Sequence, residues 1–502
     1  MPPWPADPKG SVPFRNDPRL SQQDIDTVVG WIDAGMPEGN ETVLPPVPSA
    51  TAEWDNALGR QPDAVISLPA FTVEAQGEIP YIEQLMKVPY KEDKWVIAME
   101  MRAGNPKILH HMGITEVALP NGMKPADLKA FSAMTRKMGI PDNAMALIQP
   151  AVVDPHDPHA YDMFGVYTPG ATFELYGNDG AKLLKAGSNL YINFNIHYTT
   201  IGSVQTDRSQ LALWFASRTA PNQLFRAPAG VDSIIANGQE LLTDAPGTKA
   251  EGTDVAIPPI PAYAADYELI GITAYRRPIV LYQFQPHAHM RGKAFRYVVV
   301  FPDGREQSVL NVPRYDFHEQ LAYELATPLM LPAGSKLIVT AHYDNSQSSY
   351  AARSRGIEDP GHHCGPENVA YFQRQNQSWD EMFSPLVQYS DRPAGSHKAA
   401  SSRDLAVVQV VGCLIADRSG GWSMTRASLP VLTGNEATST AELAAAGKIA
   451  LGDRSYLLLG ADVFHPQDHI GQRLAAKGVL IPSRNMKRIN VTSLQSLPGP
   501  CR

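Results

Sequence analysis

Gln285-Pro286-His287-Ala288-His289-Met290-Arg291-Gly292 carries two imidazoles two residues apart in a stretch that otherwise reads as strand. Side chains of a strand alternate between faces, so His287 and His289 project from one face and can grip a single metal ion without backbone distortion. A second reading stays open at this point, with one ring a hydrogen-bonded core histidine and the other facing solvent. Three more places hold groups of the same chemistry: His110-His111-Met112, His197, and Trp379-Asp380-Glu381-Met382. Adjacent residues of a regular strand point to opposite faces, so His110 and His111 can share one ion only at a strand end or a bulge. In Leu190-Tyr191-Ile192-Asn193-Phe194-Asn195-Ile196 the apolar face is formed by Leu190, Ile192, Phe194 and Ile196, which puts His197 on the polar side and argues against a core role.

Strands must position these groups. Ile279-Val280-Leu281-Tyr282-Gln283-Phe284 before the His-x-His and Ala294-Phe295-Arg296-Tyr297-Val298-Val299-Val300-Phe301 after it are rich in β-branched and aromatic residues, which fit a pleated surface. Lys94 to Met101 and Leu190 to Ile196 are the strongest strands of the preceding region. At 502 residues the chain exceeds a single core, and three or so domains are expected. The 43 prolines and 38 glycines imply many turns and few long helices. A net charge of −8 and a pI near 6.0 provide no basic stripe for nucleic acid or an anionic membrane. No apolar run approaches the roughly 18 residues of a membrane span. Cys364, Cys413 and Cys501 are too few for a disulfide framework, with Cys413 and Cys501 the pair expected if the compartment is oxidising.

Residues 1–45 hold one helix, because Ser21 with Asp24 makes a capping-box-like start, Ile25, Val28, Val29 and Ile32 recur at helical spacing, and Gly35 stops it. Too short to bury a core, this piece is expected to pack on its neighbour. Residues 46–62 read as a proline-rich linker. Residues 63–220 and 221–395 read as two strand-rich domains. Ala186-Gly187-Ser188 leading to His197-Tyr198 returns as Ala333-Gly334-Ser335 leading to His342-Tyr343, the echo that two tandem sandwiches of similar plan produce. Residues 396–502 read as a small, separately folded, barrel-like β module without assignable chemistry. The predicted fold is therefore all-β: two tandem antiparallel β-sandwich, jelly-roll-like domains, a short N-terminal helical segment and a small C-terminal β-rich module.

His110-His111-Met112, Ile196-His197-Tyr198, His287-Ala288-His289-Met290-Arg291-Gly292 and Asp380-Glu381-Met382, in that order and with domain-sized separations, resemble the copper type II, ascorbate-dependent monooxygenases, the family of peptidylglycine α-hydroxylating monooxygenase and dopamine β-monooxygenase. The resemblance covers roughly residues 63 to 395. It implies two copper ions per chain, one held by His110, His111 and His197, the other by His287, His289 and Met382, as two triplets facing a shared cleft. The second triplet is the implied catalytic one. Ascorbate or another one-electron donor supplies electrons, and a C–H bond of a small-molecule substrate is hydroxylated with one atom of O2, the other leaving as water. Ligand chemistry agrees, since imidazole suits both copper oxidation states and a thioether is soft and favours the reduced one. Zinc has little use for Met382, and a blue-copper site needs a Cys-x-His-x-Met spacing that Cys364 lacks. Peptide-amidating members place an arginine two residues before the His-x-His and an asparagine two past the methionine. Here those places are Gln285 and Ser384, so a peptide carboxylate clamp is missing.

Met1-Pro2-Pro3-Trp4, followed by Leu20-Ser21 and Trp31-Ile32-Asp33-Ala34-Gly35-Met36-Pro37, resembles the closing portion of a bacterial class of c-type cytochrome domain. In that family the methionine of Met-Pro-Pro-Trp is the axial iron ligand, which would be Met1, while the Cys-x-x-Cys-His that attaches haem is absent from this chain. The resemblance implies an upstream haem segment and leader, with heme c a cofactor only if that segment exists, and a cytochrome or similar donor as electron inlet. Met1 to Trp4 has neither a basic start nor an apolar stretch, so no signal peptide is expected in the chain as given, and a periplasmic or secreted location follows from family resemblance. The other histidines read as bystanders: His156 and His159 in a proline-rich loop, His362 and His363 in a surface loop, His342 without a ligand role, His465 and His469 on the last module. Two further function classes fit the residues: a copper-binding or electron-transfer protein without a substrate pocket, and a histidine-rich structural protein without metal.

Overall fold

The computed structural model describes the chain except for residues 1–3, 40–53, 55–57, 129–148, 151–162, 217–222, 247–254, 355–362, 373–376, 391–403 and 502, and positions 78, 80, 89, 121, 170–171, 177–179, 228–229, 418–419 and 484–485. Met1, most of the linker, His156, His159, His362 and the expected boundaries near 220 and 395 lie outside the described residues.

The fold is the expected all-β one, built from antiparallel sheets packed face to face. In the first half, a five-stranded sheet containing Ile82–Lys87, Leu190–Tyr198, Leu109–Ala118 and Met163–Tyr167 faces strands Ala64–Ser67, Gln210–Phe215, Lys94–Arg102 and Gly180–Leu184. Met112, Ile114, Phe194 and Ile196 of the first sheet meet Ile66, Val96, Met99 and Leu211 of the second in one core. The second half repeats the plan. A six-stranded sheet with Tyr267–Tyr275, Ser335–Tyr343 and Gly292–Val300 at its centre faces Ser384–Ser390, Ile279–His287 and Tyr323–Leu331, with Leu269, Tyr297 and Val339 packed on Leu281, Phe284 and Val387.

The halves are not merely strung in tandem. Gln223–Arg226 pairs in parallel with Gly180–Leu184 and antiparallel with Ser384–Ser390, so one nine-stranded sheet runs through both sandwiches. That shared sheet fixes the two halves against each other, and with them the two sets of histidines.

Two expectations need correction. The C-terminal region is not folded apart from the rest: beside a cluster of its own, Val411, Ala446, Ala475 and Leu497, its Val410, Leu414, Leu474 and Val491 pack with Ile235, Ile270, Ile272 and Ile338 of the second sandwich. Its six-stranded sheet, in which Trp422–Ala427 pairs with both Arg454–Leu459 and Val407–Ala416, is a third layer on the outer face of that sandwich. Lys336 pins it there, its buried ammonium donating to the carbonyls of Leu459, Gly460 and Val491. Cys413 and Cys501 form a disulfide within this layer.

The second correction concerns the N-terminal helix. It forms as read, Gln22–Asp33 with the Ser21–Asp24 capping box, but its apolar stripe is not packed on a neighbour, Val28, Val29 and Ile32 each being about half exposed (47%, 49% and 51%). The residues ahead of it do the docking instead. Trp4 and Phe14 pack on Tyr323, and the backbone of Asp7, Val12 and Arg15 hydrogen-bonds to Asn311, Val309 and Glu324 of the second half.

Candidate metal centre

Leu109–Ala118 pairs antiparallel with Leu190–Tyr198, with His111 directly opposite His197. The register then jumps, Tyr198 pairing with Leu109, so His110 is the extra residue of a bulge. This is the distortion that two adjacent imidazoles on one centre require, since a bulge re-aims a side chain that would otherwise cross to the other face. Ring nitrogens of His110, His111 and His197 lie within 4.8 Å of one another, a cluster that can hold a metal ion. His197 does stand on the face opposite Ile192, Phe194 and Ile196, but that face is not solvated: His111 is 5% and His197 6% exposed. The second half covers it.

His287 closes the strand Ile279–His287, whereas His289 lies beyond the strand in a turn closed by the Gly292 N–H donating to the His289 carbonyl at 3.0 Å. The strand alternation expected of the pair therefore stops one residue short. Both rings still reach the same chamber, perpendicular to each other with centroids 5.3 Å apart. Nor do the two sets face each other across an open cleft. The His111 and His287 rings are 5.6 Å apart, and the Tyr81 hydroxyl sits 3.3 Å from His111 Nε2 and 3.3 Å from His289 Nε2. Burial is the main cause holding His287 down to about 4 and His289 to about 3, and it lowers His111 and His197 well below the ordinary histidine range. All four are neutral at pH 7, the form that binds metal.

The outer nitrogens of the rings are taken. His289 Nδ1 donates to the Asp380 carbonyl at 3.1 Å, and since a carbonyl only accepts, the hydrogen must be on Nδ1 and the lone pair on Nε2. His287 Nδ1 is likewise held by Gln320 Oε1 at 2.8 Å, the amide being oriented by its own bond to the Phe317 carbonyl. In the first triplet the arrangement is reversed. His197 Nε2 meets Ser378 Oγ at 3.1 Å and His110 Nε2 meets His318 Nδ1 at 3.1 Å, while the His110 and His111 Nδ1 atoms face each other at 2.9 Å. His197 Nδ1 is buried with no hydrogen-bond partner. An orphaned nitrogen of this kind costs about 1–3 kcal/mol unless something satisfies it, and its place beside two other imidazole nitrogens fits a cation.

Met382 is buried. The Glu381 carboxylate ties its backbone to the His-x-His turn, accepting from the N–H of His289 at 3.0 Å, of Arg291 at 2.6 Å and of Met382 at 3.3 Å. Burial lifts Glu381 to about 7 against the pull of Arg291 and those N–H groups. Arg291 is itself fixed by Asn345 and the Trp379 carbonyl.

No protein-family model matches the chain, and no curated protein matches its sequence. Among the described residues the bystander histidines are where the sequence put them: His342 bonds Asp266, the exposed His363 stacks on Trp379, and His469 bonds Ser496. His318 was missed altogether. It follows Asp316-Phe317 with no second histidine at ligand spacing, so only its approach to His110 reveals it. Tyr81, Gln320 and Ser378 carried no signal either, and Glu381 lay inside a motif without a role assigned to it.

Proposed function

We propose that the chain is a copper-dependent monooxygenase that hydroxylates a substrate C–H bond with O2 and electrons from ascorbate or another one-electron donor. The observation that carries the reading is the donor set: five imidazoles that converge on one chamber, with the Met382 backbone tied to the His287–His289 turn through Glu381, and among the described residues no carboxylate or thiolate beside the ring nitrogens that converge. Such a set is soft to borderline and favours copper over calcium, magnesium or a hydrolytic zinc. His110, His111 and His197 would hold one ion through Nδ1, and His287 and His289 through Nε2, with Met382, the other.

When bound, copper supplies the one-electron chemistry that activates O2. The chain's own residues do the rest. Gln320 and the Asp380 carbonyl hold His287 and His289 in one tautomer and Ser378 orients His197, so these rings are aimed before any ion arrives. Tyr81 stacks on His197 at 4.7 Å and touches both triplets, excluding water between them. On the strand that ends in His287, Gln283 and Gln285 share its face, and with Gln388, Met163, Glu174 and Lys182 they line a small cleft. The Cys413–Cys501 disulfide supports a periplasmic or secreted location.

Copper loading should yield about two ions per chain, with His197→Ala and Met382→Ala each weakening one site. Oxygen uptake with ascorbate and a panel of small-molecule substrates should give hydroxylated product. Two bound ions that reduce with ascorbate yet never turn over substrate would instead make the chain a copper carrier, and failure to bind copper would end the metal reading.

A further inference from the structure

Two members of the first triplet have their outer nitrogens held from the other half of the molecule, His197 by a hydroxyl, Ser378, and His110 by another imidazole. His110 Nε2 lies 3.1 Å from His318 Nδ1, and His318 Nε2 lies 2.6 Å from the Tyr350 hydroxyl. His318 stands in the connection between Glu306–Val312 and Tyr323–Leu331, and Tyr350 opens the short helix Tyr350–Ser354. Phe317, beside His318, stacks on the His110 ring at 4.9 Å with the planes 26° apart, so one dipeptide sets both the plane and the hydrogen bond of that ring.

We propose that His318 is a positioning residue for the first metal site, accepting the His110 Nε2–H so that His110 presents Nδ1, and that this makes the first site incomplete without the second half of the chain. The inference rests on the metal reading above. A neutral imidazole carries one hydrogen. For His110 to offer the Nδ1 lone pair beside His111, that hydrogen must be on Nε2, where His318 Nδ1 stands 3.1 Å away to accept it. His318 Nδ1 accepts only when His318 carries its own hydrogen on Nε2, and there the Tyr350 oxygen receives it. Reversing the direction of all these bonds would put a hydrogen on His110 Nδ1, aimed at His111, and close the site to a cation. The other first-site rings are held by hydroxyls, Ser378 for His197 and Tyr81 for His111, which donate or accept as required. His110 alone depends on a partner whose own tautomer must be set.

The test uses the full chain and Cu(I) alone as probe, with affinity read by competition against a chelator and ligation read by NMR of histidine-labelled nitrogen. In the parent one set of rings should be metallated at Nδ1 with Nε2–H retained. His318→Ala should weaken one of the two sites by about 10–100-fold, blur the Nδ1 pattern and leave the His287–His289 site at parental affinity. His318→Asn, whose amide oxygen falls near the lost Nδ1, should restore most of the affinity. Because His318 is exposed, both variants should unfold at the parent's temperature without metal. Unchanged affinity and ligation in His318→Ala overturn the proposal alone, as does an asparagine variant no better than alanine. A parent that takes up no copper overturns it together with the metal reading.

Discussion

At the scale of single residues, the pattern is one of buried polar groups whose cost is met only in part by the protein. His197 Nδ1 is such a group, and Glu116, at the far end of the strand that carries His111, is another. Burial raises the Glu116 carboxyl from 4.5 to about 8, with Lys185 opposing. Its folded pKa stands above its unfolded one, so between those values the folded chain keeps a proton that the unfolded chain has released. Stability is therefore full below pH 4.5 and falls as the pH rises through about 8. Glu116→Gln removes this titration, and denaturant unfolding across that window should show a flatter profile than the parent, with the variant the more stable above pH 8 by a few kcal/mol, on the order of the shift. A parallel profile for the two proteins would mean the carboxyl is solvated.

At the scale of elements, two irregularities make the site. The bulge at His110 lets neighbouring imidazoles point into one chamber, and the turn after His287 brings His289 back towards the Glu381 segment. Gly292 closes that turn where there is no room for a side chain: a Cβ would lie 2.7 Å from the Ala288 Cβ and 2.8 Å from the Tyr315 ring. Gly292→Ala should cost about 1–3 kcal/mol by overpacking and, because Tyr315 bonds the backbone of Ala288, should weaken copper at the His287–His289 site more than at the other. Calorimetry with and without copper reads both effects. The adjacent-histidine motif announced a strand end or a bulge in the sequence, because a regular strand cannot turn both rings to one ion, and the structure has the bulge. The end of the His287 strand was not announced, because alternation continues through Ala288 and His289 in type, and only the tertiary bond to Glu381 pulls the backbone out of register.

At the scale of the molecule, the layers depend on one another. The third sheet shares its core with the second sandwich, and Lys336 crosses between them with its pKa lowered to about 7 by burial from 10.5. A depressed base gives the opposite sign to Glu116: between those values the unfolded chain holds the extra proton, so this contribution grows with pH and is lost as the pH falls through about 7. Lys336→Met should remove that rise and cost about 1–3 kcal/mol through the three carbonyls left without a donor. Thermal unfolding of both proteins from pH 7 upward checks it, and a module that behaved as an independent domain would show no change in the melting of the sandwiches.

The sequence by itself determined the all-β class and the capped helix, and it singled out the histidines that converge, because strand period, capping pairs and ligand chemistry are legible in residue type and spacing. Only the tertiary structure decided that one sheet runs through both halves, that the C-terminal sheet shares a core with the second sandwich, and that His318, Tyr81 and Glu381 stand at the candidate site. Those facts rest on contacts between residues far apart in sequence, where no local pattern records which groups will meet.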